Sequence, residues 1–402
     1  MELRSEIEFF KNRFLMFVLD QMAYEYEKNG SGDVIRMTLG KSELPLHDEI
    51  TGAMKDALDS FEKSTLVFPQ GLPELREALA AEYKKTYDLD INSNNIVINV
   101  GTSSLFRNLF YLLAKEGDEI LLPHPYYSLY HFCAQLVGAK VRYYNINTDT
   151  LALDMNSFKE NFTDRTKIVV INSPGNPLGN ILTKEDLYGI DEIINGRAVV
   201  INDEIYANVC FDERSTSVLE LKNTKSTFIT TNAFSKGYRM YSRRVGYCIA
   251  PDELVTPLTV MQHHTLLTTD PVVQFGAIEA LQHEEEVNIL VELYRGRRNY
   301  TVESFEKVPL VRAIPAEGSF YLTLDCSKYM EEHNISTSLE LAECIMRSKQ
   351  VATVPGSDFG LPTMLRLSYS NKRYNEGIDR LVDFFTVESA VSTSSKFVTV
   401  RK

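Results

Sequence analysis

The chain runs to 402 residues with 44% hydrophobic content, beyond the roughly 250–300 residues at which a single core stops growing, so two domains are expected. A formal net charge of −13 without any basic stripe excludes a nucleic-acid partner, because phosphate backbones call for clustered lysine and arginine. No apolar run approaches the ~20 residues that span a bilayer, and Met1-Glu2-Leu3-Arg4-Ser5-Glu6 lacks a secretory pattern, so a cytoplasmic protein without a membrane partner is expected.

Taken in chain order, an amphipathic helix to about residue 28 leads into Thr38-Leu39-Gly40-Lys41, where a backbone without Cβ permits close approach of a ligand. Residues 96–100 alternate as a short strand, Gly101-Thr102-Ser103-Ser104 form a turn, and residues 105–114 form an amphipathic helix. Helix starts present free N–H groups and a positive dipole end, so Thr102 and Ser103 sit where a phosphate would bind, or where a helix is simply capped. Glu116-Gly117-Asp118 then turns into a strand ending in Pro123-His124-Pro125-Tyr126-Tyr127. Tyr126, Tyr127 and Tyr130 share one chemistry, and core packing of all three is the alternative to a ring-stacking role.

A buried strand over residues 168–171 runs into Asn172-Ser173-Pro174-Gly175-Asn176-Pro177-Leu178-Gly179. Prolines restrict the backbone that carries the Asn176 amide, a ready hydrogen-bond donor, although such loops are also ordinary turns. The apolar run 198–201 ends in Asn202-Asp203-Glu204-Ile205-Tyr206, delivering a carboxylate to the strand end where open α/β sheets bind ligands. Strand alternation points Glu204 to the face opposite Asp203. Ala233-Phe234-Ser235-Lys236 combines a reactive amine with Arg243-Arg244 just downstream, an anchor for an anion. Residues 262–274 look suited to reach a second subunit, and the histidine pair within them, His263-His264, points apart on a helix, so no metal site is expected. A helix with Glu284-Glu285-Glu286 opens the C-terminal part, which contains strands at 318–324 and 365–369. Arg366 in Leu365-Arg366-Leu367-Ser368-Tyr369 lies on one strand face, as a carboxylate fork or as an ion-pair partner. The five cysteines, at 133, 210, 248, 326 and 344, form no CxxC pair and read as reduced thiols.

Together and in this order, these segments resemble the fold-type-I pyridoxal-phosphate enzymes of the class I/II aminotransferase family. The resemblance implies a large domain at 45–280 with a mostly parallel sheet flanked by helices. It also implies a smaller α+β domain formed by residues 1–44 and 281–388, with 389–402 as a tail. It implies pyridoxal 5′-phosphate held by Lys236 as a Schiff base, with Asp203 on the ring nitrogen, Tyr206 and Asn176 on the phenolic oxygen, and Tyr127 stacked on the ring. Thr102, Ser103 and Arg244 would hold the phosphate, and Gly40, Asn176 and Arg366 the substrate. The activity implied is transfer of an amino group from an L-amino acid to an oxo acid by a homodimer.

Two positions depart from the family pattern. Ala233 stands where many relatives carry a phosphate-binding serine, and Leu66 or Phe68 falls where a tyrosine usually reaches the neighbouring subunit. The same residue set also serves lyases and cyclases, which expel or internally replace a leaving group. Detecting an aminated cofactor and dependence on a second oxo acid separates these from transamination. A binding protein without catalysis is the third reading, and the absence of a basic helix-turn-helix extension speaks against it.

Overall fold

The computed structural model describes residues 15–30 and 32–387. After a short strand β1 (Ile35–Arg36), seven strands build the main sheet: β2 (Ile96–Asn99), β3 (Glu119–His124), β4 (Lys140–Asn145), β5 (Thr166–Asn172), β6 (Val199–Asp203), β7 (Thr227–Ala233) and β8 (Gly246–Ile249). Their order is β2-β8-β7-β6-β5-β3-β4. Pairs β3–β4, β3–β5, β5–β6 and β6–β7 are parallel, and β8 runs antiparallel to both its neighbours.

The central strands are continuous hydrophobic runs because both their faces are covered, as parallel sheets require. Alternation assigns the faces. Val169, Ile171 and Val200 join one apolar cluster, while Ile168, Val170 and Ile201 join another. Slipping one residue would exchange the two sets. Helices fill both layers, among them Lys184–Ile194 against the first set and Gly101–Leu113 against the second.

The carboxyl ends of β5, β6 and β7 lie side by side, with Asn172 opposite Asp203 and Asp203 opposite Thr231. Gly246 at the start of β8 is paired with Ala233 at the end of β7, so the antiparallel strand brings the residues preceding it to the same edge. This edge is the crevice in which such sheets bind ligands.

The C-terminal part adds β9 (Arg312–Ile314), β10 (Tyr321–Asp325), β11 (Val351–Ala352), β12 (Val354–Pro355) and β13 (Met364–Ser368). Four of them form an antiparallel sheet, β12-β13-β10-β9, and β11 pairs in parallel with β1. One apolar cluster joins Leu19, Ala23, Ile35 and Met37 from the N-terminal segment to Tyr294, Leu322, Leu367 and Phe385. This core cluster therefore draws on both ends of the chain.

One expectation is corrected in detail. The helix expected from residue 105 begins at Gly101, whose φ of +70° only glycine adopts without cost. Thr102 and Ser103 thus lie within its first turn. The N-terminal helix spans Leu15–Lys28, and the proposed tail at 389–402 lies outside the described residues, as do residues 1–14.

Candidate active site

A cavity of about 380 Å³ opens at this sheet edge, lined by residues that include Gly40, Thr102, Ser103, Tyr127, Asn176, Asp203, Tyr206, Lys236, Arg244 and Arg366. All ten side chains or backbones singled out in the sequence converge there. They come from seven separate stretches of chain. The packing that brings them together also removes water from the charged ones.

Lys236 follows β7 directly and is only 7% exposed. Its Nζ donates to the carbonyl oxygen of Gly40 at 2.7 Å. The rings of Tyr241 and Phe320 stand 5.2 Å away. Burial is the largest influence on the amine and lowers its pKa, Tyr321 opposes that, and the nearby Arg366 adds to the lowering. A lysine so placed gives up its proton more readily than one in water.

Asp203 ends β6 at 3% exposure. Tyr130 donates from its hydroxyl to Oδ2 at 2.6 Å, and Oδ1 accepts from the Ile205 N–H at 3.2 Å. Burial pushes the carboxyl up to about 6, with the Tyr130 hydrogen bond acting in the other direction. Glu204 turns away as expected: its Oε1 accepts from Asn202 Nδ2 at 2.8 Å and from Ser217 Oγ at 2.7 Å. It takes no part in lining the cavity.

Arg366, on β13 and 3% exposed, donates from Nη2 to the Thr38 carbonyl at 2.7 Å and from Nη1 to Asn176 Oδ1 at 3.2 Å. Its guanidinium lies 4.0 Å from the ring centre of Tyr321 and 4.7 Å from that of Phe359. The buried Nε has no partner among the described residues. Such an orphaned donor is costly unless a ligand or water completes it. The Asn176 N–H is fixed by Asn172 Oδ1 at 2.9 Å.

On the opposite wall, Arg244 takes a φ of +57° and donates from Nη1 to Ser235 Oγ at 3.3 Å. A Cβ built on Gly101 would stand 2.3 Å from Arg244 Nη2, and one on Gly246 2.7 Å from the carbonyl carbon of Gly101. Two glycines therefore let a guanidinium close over the first turn of a helix. That combination of free N–H groups, dipole and fixed cation has the chemistry that suits an anion such as phosphate.

Sequence reasoning missed several residues. Ser235, beside the lysine, reaches Arg244 and lines the cavity, whereas Ala233 pairs with Gly246 inside the sheet. Tyr321 accepts a hydrogen bond from the Tyr206 hydroxyl at 3.4 Å, and electrostatically it faces Lys236 and Arg366. Of the three tyrosines, Tyr127 and Tyr130 line the cavity while Tyr126 stacks on Tyr143 with ring centres 5.2 Å apart. The spacing of Tyr127 and Tyr130 was visible in the sequence, but the partner of each was not. His263 and His264 lie outside the cavity, and so do His47, Glu49 and His283, whose ligand atoms approach within 4.8 Å of one another.

Gly40 is where local geometry is least forgiving. A Cβ there would meet Tyr321 Oη at 2.0 Å and Lys236 Nζ at 2.9 Å. The Gly40→Ala variant is expected to lose about 10²-fold in kcat/KM, the cost of misplacing reacting groups by an ångström. Its cofactor absorbance should also show a smaller fraction bound through the lysine. Unchanged turnover and spectrum would disprove the contact.

The chain matches the family model for aminotransferase class I and II over residues 33–385. It is 33% identical over 359 residues to a probable aspartate/prephenate aminotransferase of Aquifex aeolicus (strain VF5), covering 87% of this chain and 90% of that protein. It is 29% identical to an aspartate aminotransferase of Thermotoga maritima, covering 91% and 95%. Its fold superimposes on the Thermus thermophilus aspartate aminotransferase solved with maleate at a TM-score of 0.86 and 25% identity, over 95% of this chain and 99% of that one. The chain belongs to the class I and II aminotransferase family and is a pyridoxal-phosphate-dependent aminotransferase.

The residues present fit that cofactor. The helix start with Arg244 suits a phosphate, the buried Asp203 suits a protonated ring nitrogen, and Lys236 suits an aldehyde. No helix among the described residues is long and apolar enough to cross a membrane.

Proposed function

We propose that Lys236, Asp203 and Arg366 carry transamination in this chain, with the other lining residues orienting them. The observation that supports this most directly is the juxtaposition of a buried lysine, a buried carboxylate at a strand end and an arginine with an unfilled donor in one cavity. When bound, pyridoxal phosphate supplies an aldehyde that exchanges amino groups and a ring that accepts an electron pair.

The rest is done by side chains. Arg366 orients the α-carboxylate of the incoming amino acid through two parallel N–H donors. Lys236, with its amine proton loosened by burial, removes the proton from the α-carbon and returns it elsewhere. Asp203, held by Tyr130, keeps a proton on the ring nitrogen, since an adjacent opposite charge favours the charged form. Asn176 and Tyr206 would donate to the phenolic oxygen, and Tyr127 would stack on the ring. Thr102, Ser103, Ser235 and Arg244 would hold the phosphate. Enclosure of these groups excludes water and strengthens their interactions.

We also infer a homodimer, with the divisions between the two units near residues 45 and 281. Thr268 Oγ1 donates to the Phe68 carbonyl at 2.8 Å, which gathers Val67, Phe68, Leu266 and Leu267 into an exposed apolar surface. Gln262 and Gln274, the ends of the segment expected to reach across, are anchored within this chain, so a second copy would meet its exposed middle. Apolar patches of this kind mark association surfaces.

The test is spectroscopic. With amino acid alone, the imine absorbance of the loaded protein should disappear in a single turnover, and it should return when an oxo acid is added. Product release without any need for an oxo acid would sink transamination and favour elimination or cyclisation. The relatives found, named as aminotransferases, lend no support to that second reading.

A further inference from the structure

Outside the cavity, one cluster of side chains has the composition of a metal centre. His47, Glu49 and His283 each bring a ligand atom within 4.8 Å of the other two. They come from distant parts of the chain. His47 caps the helix Asp48–Asp59, Glu49 lies in its first turn, and His283 caps the long helix Glu284–Phe305. Glu279, in the last turn of the helix Pro271–Ala280, and Glu285 complete the group.

His283 is the centre of the arrangement, at 9% exposure. Its Nδ1 lies 3.0 Å from Glu285 Oε1, while Nε2 lies 3.1 Å from Glu279 Oε1 and 2.9 Å from Glu49 Oε2. A ring nitrogen carries at most one proton, so Nε2 cannot donate well to two carboxylates at once. A metal ion bound at Nε2 would remove that competition by taking both carboxylates as ligands. Their spacing from Nε2 is close to the roughly 3.3–3.5 Å between neighbouring ligands of a tetrahedral zinc with bonds of about 2.1 Å. Glu285 supplies the outer half of such a site, because a ligating histidine gives its other N–H to a carboxylate that fixes tautomer and orientation.

His47 stands beside this imidazole, with ring centres 4.3 Å apart and planes tilted by 32°. Its Nδ1 accepts from the Glu49 N–H at 3.4 Å, a long contact that a small rotation of the half-buried ring would exchange for a metal bond. The Glu49 side chain is 65% exposed and can follow.

We propose that His47, Glu49 and His283, with Glu279 as fourth ligand, hold a divalent transition-metal ion of zinc's class. Imidazole nitrogen combined with carboxylate oxygen suits zinc, and four protein ligands make a closed structural site. The ion would clip together the starts of two helices and the end of a third. The first of these follows the Gly40 segment at the cavity. The long helix carries Tyr294 and Phe305 into the C-terminal core.

Ion pairing of His283 with its glutamates is the competing account, and a titration separates the two. The full chain loaded with pyridoxal phosphate is freed of metals and titrated calorimetrically with zinc chloride, with magnesium chloride as the hard-cation control. One equivalent of zinc should bind, more tightly than magnesium. Affinity for zinc should fall by at least about tenfold in Glu49→Gln and in His47→Ala, which each remove a ligand, and by about tenfold in Glu285→Gln, which removes the outer partner. Zinc should raise the melting temperature of the parent protein and leave that of a variant carrying both ligand substitutions unchanged. Amino transfer by these variants should match the parent, since neither residue lines the cavity. No zinc binding by the parent, zinc binding unaltered in both ligand variants, or magnesium bound as tightly as zinc would overturn the proposal.

Discussion

Replacing Lys236 by alanine is expected to lower kcat for amino transfer by about 10²–10⁴-fold, the range that a positioned proton-transfer group supplies. The absorbance of a lysine-bound cofactor should vanish with it. Phosphate-anchored cofactor should still bind, because Arg244, Ser235 and the helix start are untouched. The amine is buried against aromatic rings, with the Gly40 carbonyl and the Tyr321 hydroxyl as hydrogen-bond partners. Its removal relieves a desolvated cation, so the fold should persist with no loss of thermal stability. Absorbance spectra, single-turnover kinetics and a melting curve on the same sample check all three statements. Full turnover with an unchanged spectrum would assign the chemistry to a different amine.

The Asp203→Asn variant should rank next, with kcat lower by about 10²–10³-fold, as when one preorganised electrostatic group is removed from an enclosed site. Asparagine keeps the volume and leaves Tyr130 and the Ile205 N–H with a polar neighbour, so the loss would report the missing charge. KM for the amino acid should change little, since Arg366, the proposed carboxylate anchor, belongs to a different strand and is fixed there by the Thr38 carbonyl. A kcat within about twofold of the parent, well short of any electrostatic effect of that size, would show that the ring nitrogen does not depend on this carboxylate. Tyr130→Phe offers a graded comparison. It removes one hydrogen bond to Asp203 while sparing the carboxylate, and its smaller loss should shift with pH because that bond opposes the effect of burial.

Much of the site was legible because its residues sit at strand ends. Continuous apolar runs such as 168–171 and 198–201 mark strands buried on both faces, and the residues after such a strand in an open sheet lie in the binding crevice. Asn176, Asp203 and Lys236 stand out on that basis from the amino-acid sequence alone. The alternation that sent Glu204 away from Asp203 was equally readable, and Asn202 and Ser217 hold Glu204 on the far side. The helix start at Gly101 was misplaced by four residues because a positive φ at glycine leaves no trace in hydrophobic periodicity.

Other roles were beyond local pattern. Tyr130 looked equivalent to Tyr126 and Tyr127, and only the packing of its helix against β3, β4 and the Gly101–Leu113 helix gave it Asp203 as partner. Tyr321 carried no motif of its own; it matters because β10 pairs with β13, placing its ring under Arg366.

The amino-acid sequence by itself determined which chemical groups are present, their order along the chain and the alternating strands and helices that present them. Periodicity encodes each element's faces, and glycine and proline mark where the elements turn. The tertiary structure decided which groups touch. Lys236 meets a carbonyl 196 residues away, and Arg366 one 328 residues away. Contacts over such separations depend on how distant elements pack together, which no local spacing records. The same packing removes water from the amine and the carboxylate together, and so shifts the protonation of both.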